Sequence, residues 1–170
     1  AMLDMVTAEF GTAFPPGLHA EKNHLVEQLF RSDLKIVPGV AATLAGLRER
    51  GIGASIASNS PRARVALAVA LTGIADHFSA ITAVEDVARG KPAPDVLLTA
   101  LERAGCAAGH CLVVEDSTTG VTAAVAAGLR TVGFVGTHPD VLAQAEALRG
   151  AGAVAVIRHM EDLLHHAGRG

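Results

Sequence analysis

From Pro38 onward, short apolar runs alternate with helical patterns, and this alternation constrains the fold more than any other feature of the chain. Each unit of strand plus helix occupies roughly 20–25 residues. Strands are predicted over residues 53–57, 80–84, 111–114, 130–135 and 153–157, and helices over 39–50, 61–71, 94–104, 118–127, 139–148 and from about 160. Strands that alternate with helices in this way predict an α/β fold with a doubly wound parallel sheet.

Three polar clusters lie where a predicted strand or a turn gives way to a helix. They are Ser58-Asn59-Ser60, the loop Gly90-Lys91-Pro92-Ala93-Pro94-Asp95, and Glu115-Asp116-Ser117. In an open α/β sheet the carboxyl ends of neighbouring strands share one crevice, which is where ligands bind. A hydroxyl, an ammonium and two adjacent carboxylates gathered there suit a phosphate that is bound together with a divalent metal.

The first two clusters carry groups that bind anions. Ser58 ends a strand of small residues, and Ser60 before Pro61 is a candidate N-cap of a helix whose N-terminus can hold an anion. A plain helix cap is the alternative interpretation.

Lys91 lies in a loop stiffened by Pro92, which holds the lysine in place. Its charge could then neutralise a transferring phosphoryl group. The alternative is an ordinary surface lysine.

Glu115 and Asp116 follow a buried apolar run directly and form the strongest single signal in the chain. Carboxylates at the end of a buried strand are costly unless they are paired or bound to a metal. Oxygen ligands suit a hard cation that keeps several waters, so the two acids predict an Mg²⁺ site. The alternative is a pair of acids that stabilise a helix N-terminus through its dipole.

The composition argues against several other classes of protein. The 14 basic and 17 acidic residues give a net charge of −3, and the chain has no Trp or Tyr, so we expect no nucleic-acid partner. No apolar run reaches the ~18 residues that span a bilayer, so we expect no membrane partner. Cys106 and Cys111 allow one bridge at most. We expect both to be reduced thiols in a cytoplasmic protein.

Together these motifs resemble the second, third and fourth motifs of the haloacid dehalogenase superfamily, in the version of its β-phosphoglucomutase and phosphoglycolate phosphatase-like branch. The resemblance rests on residues 56–60, 90–95 and 113–121, and it covers residues 38–160. It implies that Ser58 and Lys91 take part in catalysis and that Ser58, Asn59 and Lys91 bind the phosphoryl group. Glu115 and Asp116 would hold Mg²⁺, and the substrate would be a small phosphorylated metabolite.

The same resemblance implies two domains. Residues 1–35, which show helical patterns, would be part of a helical cap, and residues 36–170 would form the α/β core. The family's first motif is a strand that ends in Asp-x-Asp and supplies the nucleophile. Asp4-Met5-Val6 is the one candidate, but Val6 stands where the second Asp belongs. We therefore expect a chain that begins within the cap and is inactive as written.

The absent strand is central in the family's sheet, between the strands that end at Ser58 and at Glu115. Its buried side chains would contribute roughly 5–12 kcal/mol, which is comparable with the stability of a whole domain. We therefore expect either direct pairing of the two flanking strands or a strand from another chain, as in a homodimer or a strand swap.

Two other functions compete with that of a phosphatase or phosphomutase. The first is a non-catalytic protein that uses the residual site to hold phosphate or the bare sheet edge to hold a partner. The second is a phosphoacceptor domain of the receiver type, which also has acids at strand ends. A receiver needs its paired acids after the first strand, whereas here they come late in the chain, so we rank it last.

Overall fold

A computed structural model of the chain describes residues 17–168. Its helices are α1 (Leu18–Asp33), α2 (Val40–Glu49), α3 (Arg62–Leu71), α4 (Asp95–Ala104), α5 (Thr118–Ala126) and α6 (Val141–Gly150). Its strands are β1 (Ala54–Ala57), β2 (Phe78–Thr82), β3 (Leu112–Glu115), β4 (Arg130–Phe134) and β5 (Ala155–Ile157). Short 3₁₀ turns cover Ala75–His77, Val84–Asp86, Ala108–His110 and Met160–His165.

The chain divides into two units at Leu34. In the first unit the structure describes α1, a helix of 16 residues that begins after Gly17, a glycine with a φ of 91°. Leu25 and Leu29 are exposed on this helix. The helix predicted around Met2 to Phe10 and the Asp4 candidate lie outside the described residues, and the assignment of the first unit as a cap stays a prediction.

The second unit, from Lys35 onward, has the predicted alternation of strands and helices. Every predicted strand is present, and the largest shift is in β2, which begins at Phe78 because Phe78 pairs with Ala54 of β1. All pairs of neighbouring strands are parallel. The predicted α/β fold with parallel strands is therefore confirmed.

The strands form two sheets, of order β1-β2 and β3-β4-β5. Within residues 17–168, β1 and β3 do not pair with each other, so the prediction of direct pairing between them is wrong. Paired strands lie about 4.8 Å apart. Here the Lys91 ammonium lies between the Ala57 carbonyl at the end of β1 and the Glu115 carboxylate at the end of β3, so the two strand ends meet through a side chain.

A core of small and branched side chains joins the two sheets. Val96 and Leu97 of α4 are buried against Ala123 and Ala124 of α5, and residues of both β1 and β3 pack on this cluster. Alanine on α5 lets the two helices approach closely because it adds little volume between them. The packing of α4 on α5 therefore holds the ends of β1 and β3 in one region.

A charged cluster fastens α3 and α4 to the end of β2. The Asp86 carboxylate accepts hydrogen bonds from the Arg103 guanidinium at 3.0 Å and from Arg62 at 2.5 Å. It also accepts the Ala83 backbone N–H at 2.7 Å. Of these contacts, the Arg103 hydrogen bond contributes most to holding the pKa of Asp86 well below its usual value of 3.8. The ionised form is therefore the one that stabilises the fold.

We expect Asp86→Asn to lower the melting temperature at pH 7. A depressed pKa stabilises the fold above the unfolded pKa, and this stabilisation is lost as the pH falls through the folded pKa. The difference in melting temperature between wild type and variant should thus narrow as the pH falls below about 3.8. Thermal melts between pH 7 and pH 3 measure it, with the exposed Asp76→Asn as control. A difference that does not change with pH would contradict the assignment.

Two further observations concern the cysteines and the length of the helices. The structure joins Cys106 and Cys111 in a disulfide, with their Cα atoms 6.8 Å apart, so the prediction of two free thiols is contradicted. The two residues lie on either side of a short turn, which brings them together. Over residues 17–168, the helices are all too short or too polar to cross a membrane.

Candidate functional site

Lys91 lies at the centre of the site because its ammonium joins the ends of two strands. Its Nζ donates to the Ala57 carbonyl of β1 at 2.9 Å and to Oε1 of Glu115, the last residue of β3. The Lys91 and Glu115 side chains are each only 10% exposed. A lysine held in this way differs from a solvated surface lysine, because its charge lies between fixed oxygen atoms.

Glu115 fits against α5 because residue 120 is a glycine. A Cβ on Gly120 would overlap the Glu115 carboxylate. Ser117 caps this helix, since its hydroxyl accepts the Gly120 N–H at 3.0 Å. The carboxylate therefore lies beside the first turn of α5, where its charge is also favoured by the helix dipole.

Ser58 and Asn59 follow β1 and adopt different roles. The Ser58 N–H donates to the Thr82 carbonyl at 2.9 Å and so extends the pairing with β2. The Ser58 hydroxyl accepts the Ser60 N–H at 3.0 Å, which leaves its own proton available to a ligand. The Asn59 amide turns away to the Lys91 backbone, with bonds of 2.8 and 3.0 Å.

The helix that follows, α3, is not capped by Ser60 as the sequence predicts. Pro61 takes the cap position and no side-chain cap bond forms there. Instead both carboxylate oxygens of Glu85 lie 3.1 Å from the Arg62 N–H at the first helical position. A protein carboxylate thus occupies part of this helix N-terminus. Anion binding at this point would depend on the Ser58 hydroxyl and Lys91 more than on the helix.

Asp116 lies at the edge of the site with an exposed side chain. Its backbone carbonyl accepts a hydrogen bond from Gln144 Nε2 of α6 at 2.5 Å. This contact fixes the backbone of the turn between β3 and α5 and leaves the Asp116 carboxylate to the solvent. Among residues 17–168, no group of three or more His, Cys, Asp and Glu side chains surrounds a common metal position.

The structure thus brings Lys91, Glu115 and Asn59 into one hydrogen-bonded cluster, with Ser58 next to Ala57 in the chain. Asp116 is next to Glu115 in the chain, and the carboxylate that pairs with Lys91 is that of Glu115. The roles of these residues in phosphate and metal binding stay predictions. What the geometry provides is an ammonium, a free hydroxyl proton and two neighbouring carboxylates at the carboxyl ends of parallel strands.

Four residues of the site make contacts that were not predicted from the sequence. Gly90 and Gly120 leave space for Asn59 and Glu115, Glu85 caps α3, and Gln144 holds the Asp116 backbone. The glycines next to polar motifs offered a signal, because a glycine at such a place often marks a close approach of another group. Gln144 offered none, since a polar residue on a helix is ordinarily solvated.

Comparisons with known proteins agree in one family. The model of the family described as haloacid dehalogenase-like hydrolase matches residues 6–128. Protein CbbY of Cupriavidus necator is 38% identical over 150 residues, which cover 85% of this chain and 56% of that protein. The phosphoglycolate phosphatase of Escherichia coli is 39% identical over 99 residues, which cover 58% of this chain and 39% of that protein.

A solved structure supports the same grouping. A haloacid dehalogenase family hydrolase from Deinococcus radiodurans, crystallised with bound phosphate and sodium, superposes with a TM-score of 0.74 at 30% identity. The match covers 95% of this chain and 71% of that chain. The chain spans about half the length of the curated relatives that it matches first, 56% of one CbbY protein and 51% of another.

Proposed function

The chain belongs to the haloacid dehalogenase-like hydrolases, and we propose that it carries the phosphate- and metal-binding residues of a phosphatase or phosphomutase. The substrate class is a small phosphorylated metabolite. The observation that carries this proposal is Lys91, whose ammonium is held between a strand-end carbonyl and the Glu115 carboxylate in a largely buried position. Relatives named as a phosphoglycolate phosphatase and a hydrolase with bound phosphate support the same chemistry.

Ser58 and Lys91 would act on the same phosphoryl group. The Ser58 hydroxyl still has its proton to donate to a phosphate oxygen, because its lone pair is the part used by the Ser60 N–H. The Lys91 ammonium would face the negative charge of the phosphate while it stays hydrogen-bonded to Glu115. An ammonium that is already held in place needs little reorganisation when the phosphoryl group binds.

The donor set suits Mg²⁺ with ligands that are not all from the protein. Mg²⁺ commonly binds through one or two carboxylates together with waters and phosphate oxygens. Asp116 offers an exposed carboxylate, and Glu115 offers a second one that is shared with Lys91. When bound, Mg²⁺ would supply positive charge that neutralises the phosphate oxygens.

Calorimetric titration with inorganic phosphate, with and without Mg²⁺, tests the proposal on this chain. We expect phosphate to bind in the presence of Mg²⁺ and the affinity to fall in Ser58→Ala and Asp116→Asn. Asp76→Asn is the control, because Asp76 is exposed and belongs to none of the three motifs. The proposal would be refuted by a wild-type chain that binds no phosphate, or by Asp116→Asn binding that depends on Mg²⁺ as before.

The chain itself is expected to turn over phosphate esters very slowly. None of the strands described within residues 17–168 ends in an aspartate, and Asp116 directly after β3 is assigned to the metal. Covalent catalysis needs a nucleophile at the phosphate, and we assign none among residues 17–168. Assay of p-nitrophenyl phosphate hydrolysis with Mg²⁺ should show no turnover above the Asp116→Asn variant. Turnover that needs Mg²⁺ and disappears in Asp116→Asn would contradict the expectation.

The separation of the two sheets favours a second candidate, a non-catalytic phosphate- or partner-binding protein. Edge strands present unpaired N–H and C=O groups that can pair with another chain. In the described part of the structure β1 pairs on one side with β2, and β3 on one side with β4, so each has an edge without a partner strand. A homodimer in which a strand of one copy enters the other would use these edges. Light scattering that shows a monomer at all protein concentrations would exclude this homodimer.

A further inference from the structure

Asn59 is assigned to phosphate binding by the family resemblance, but its side chain is committed elsewhere. Its Oδ1 accepts the Lys91 N–H at 2.8 Å, and its Nδ2 donates to the Lys91 carbonyl at 3.0 Å. Both polar atoms of the amide are used, and they meet both polar atoms of one residue's backbone. Because a donor must meet an acceptor at each bond, this pairing also fixes which way the amide points.

From this geometry we infer that Asn59 is a positioning residue for Lys91 and does not contact the phosphate. The Asn59 amide pairs with the Lys91 backbone as a neighbouring strand would, through one N–H and one C=O. These two hydrogen bonds fasten the Lys91 loop to the residues that follow β1. Lys91 is then held at both ends: its backbone by Asn59, and its ammonium by the Ala57 carbonyl and Glu115. A flexible four-carbon stem loses its freedom when both of its ends are fixed.

Gly90 is needed for the same contact between Asn59 and the Lys91 backbone. A Cβ at residue 90 would lie 2.8 Å from Asn59 Oδ1, closer than Cβ atoms approach other atoms in proteins, and 3.1 Å from Asn59 Cγ, which is a tight contact. Alanine at this position would push the Asn59 amide away from the Lys91 backbone while leaving Asn59 itself unchanged in chemistry. Gly90→Ala therefore separates the positioning role from a direct contact between Asn59 and a ligand.

The functional meaning of this inference rests on the proposed phosphate site. The placement of Lys91 itself can be measured without phosphate. The Lys91 side chain is 10% exposed and its amine is paired with Glu115, whereas Lys35 is exposed. Acetylation by acetic anhydride, followed by mass spectrometry of peptides, therefore reports the release of the Lys91 amine against Lys35 in the same sample. Labelling is done well below each variant's melting temperature, so that global unfolding does not contribute.

We expect Asn59→Ala and Gly90→Ala each to raise the acetylation rate of Lys91 relative to Lys35 by about tenfold, the result of about 1.4 kcal/mol of easier local opening. Gly109→Ala is the matched control, because a Cβ there meets open space, and it should leave the ratio unchanged. Inorganic phosphate with Mg²⁺ should bind more weakly to both test variants. An unchanged Lys91 ratio in Asn59→Ala, or an equal rise in Gly109→Ala, would overturn the inference. A wild-type chain that binds no phosphate would refute the proposed function and leave the labelling result to decide the role of Asn59.

Discussion

Replacing Lys91 by methionine is expected to lower the free energy of unfolding by about 2–4 kcal/mol. Methionine keeps the apolar stem but removes the ammonium, so the Glu115 carboxylate is left 10% exposed without its cation. Removing one partner of a buried ion pair is costly because the other charge stays desolvated. Unfolding in urea, followed by circular dichroism, measures the loss.

The companion substitution separates this effect from loss of packing. Lys91→Met combined with Glu115→Gln removes both charges and should recover most of the lost stability, because the remaining groups no longer carry an unpaired charge. Lys35→Met, at an exposed lysine, should change stability by at most about 0.5 kcal/mol. If Lys91→Met lowers the free energy of unfolding no more than Lys35→Met does, the ion pair between Lys91 and Glu115 does not stabilise the fold as we describe.

Alanine at position 120 is expected to destabilise the protein although it lies within a helix. Glycine to alanine inside a helix ordinarily stabilises by about 0.5–1 kcal/mol. Here the new Cβ would overlap the Glu115 carboxylate, which must leave the ammonium of Lys91. We expect a net loss of about 1–3 kcal/mol, in the range of overpacked sites, together with weaker phosphate binding in the presence of Mg²⁺.

Gly150 of α6 provides the matched control, because a Cβ there meets no atom within 4 Å. Gly150→Ala should leave stability unchanged or raise it, by at most about 1 kcal/mol. The two substitutions are chemically identical, but only Gly120→Ala should lower the stability. A Gly120→Ala variant that gains stability as Gly150→Ala does would show that Glu115 is free to move without loss.

The sequence was informative about elements whose signals are local. The alternation of apolar strands and helical patterns predicted the order of elements, and it is confirmed. The three polar motifs carried the resemblance to the haloacid dehalogenase superfamily, and the family is confirmed as well. The approach of Lys91 to Glu115 followed from one rule, that the carboxyl ends of neighbouring strands share a crevice. Lys91 and Glu115 are 24 positions apart in the chain, and their side chains are hydrogen-bonded in that crevice.

The partners within the site could not be predicted, because they depend on contacts between distant segments. Asn59 bonds to the backbone of a residue 32 positions away, and Gln144 to one 28 positions away. Ser60 was expected to cap α3, yet Glu85 reaches that N-terminus from the turn after β2. The division of the strands into two sheets was not predicted either. Local patterns predict strands, but they do not show which strand edges are left unpaired.

A crystal structure of this chain grown with Mg²⁺ and phosphate tests the central claim most directly. The account predicts one phosphate with an oxygen within hydrogen-bond distance of both Ser58 Oγ and Lys91 Nζ, a metal bound by the Asp116 carboxylate, and an Asn59 amide that still faces the Lys91 backbone. Phosphate bound away from Ser58 and Lys91, or a metal bound without Asp116, would contradict it.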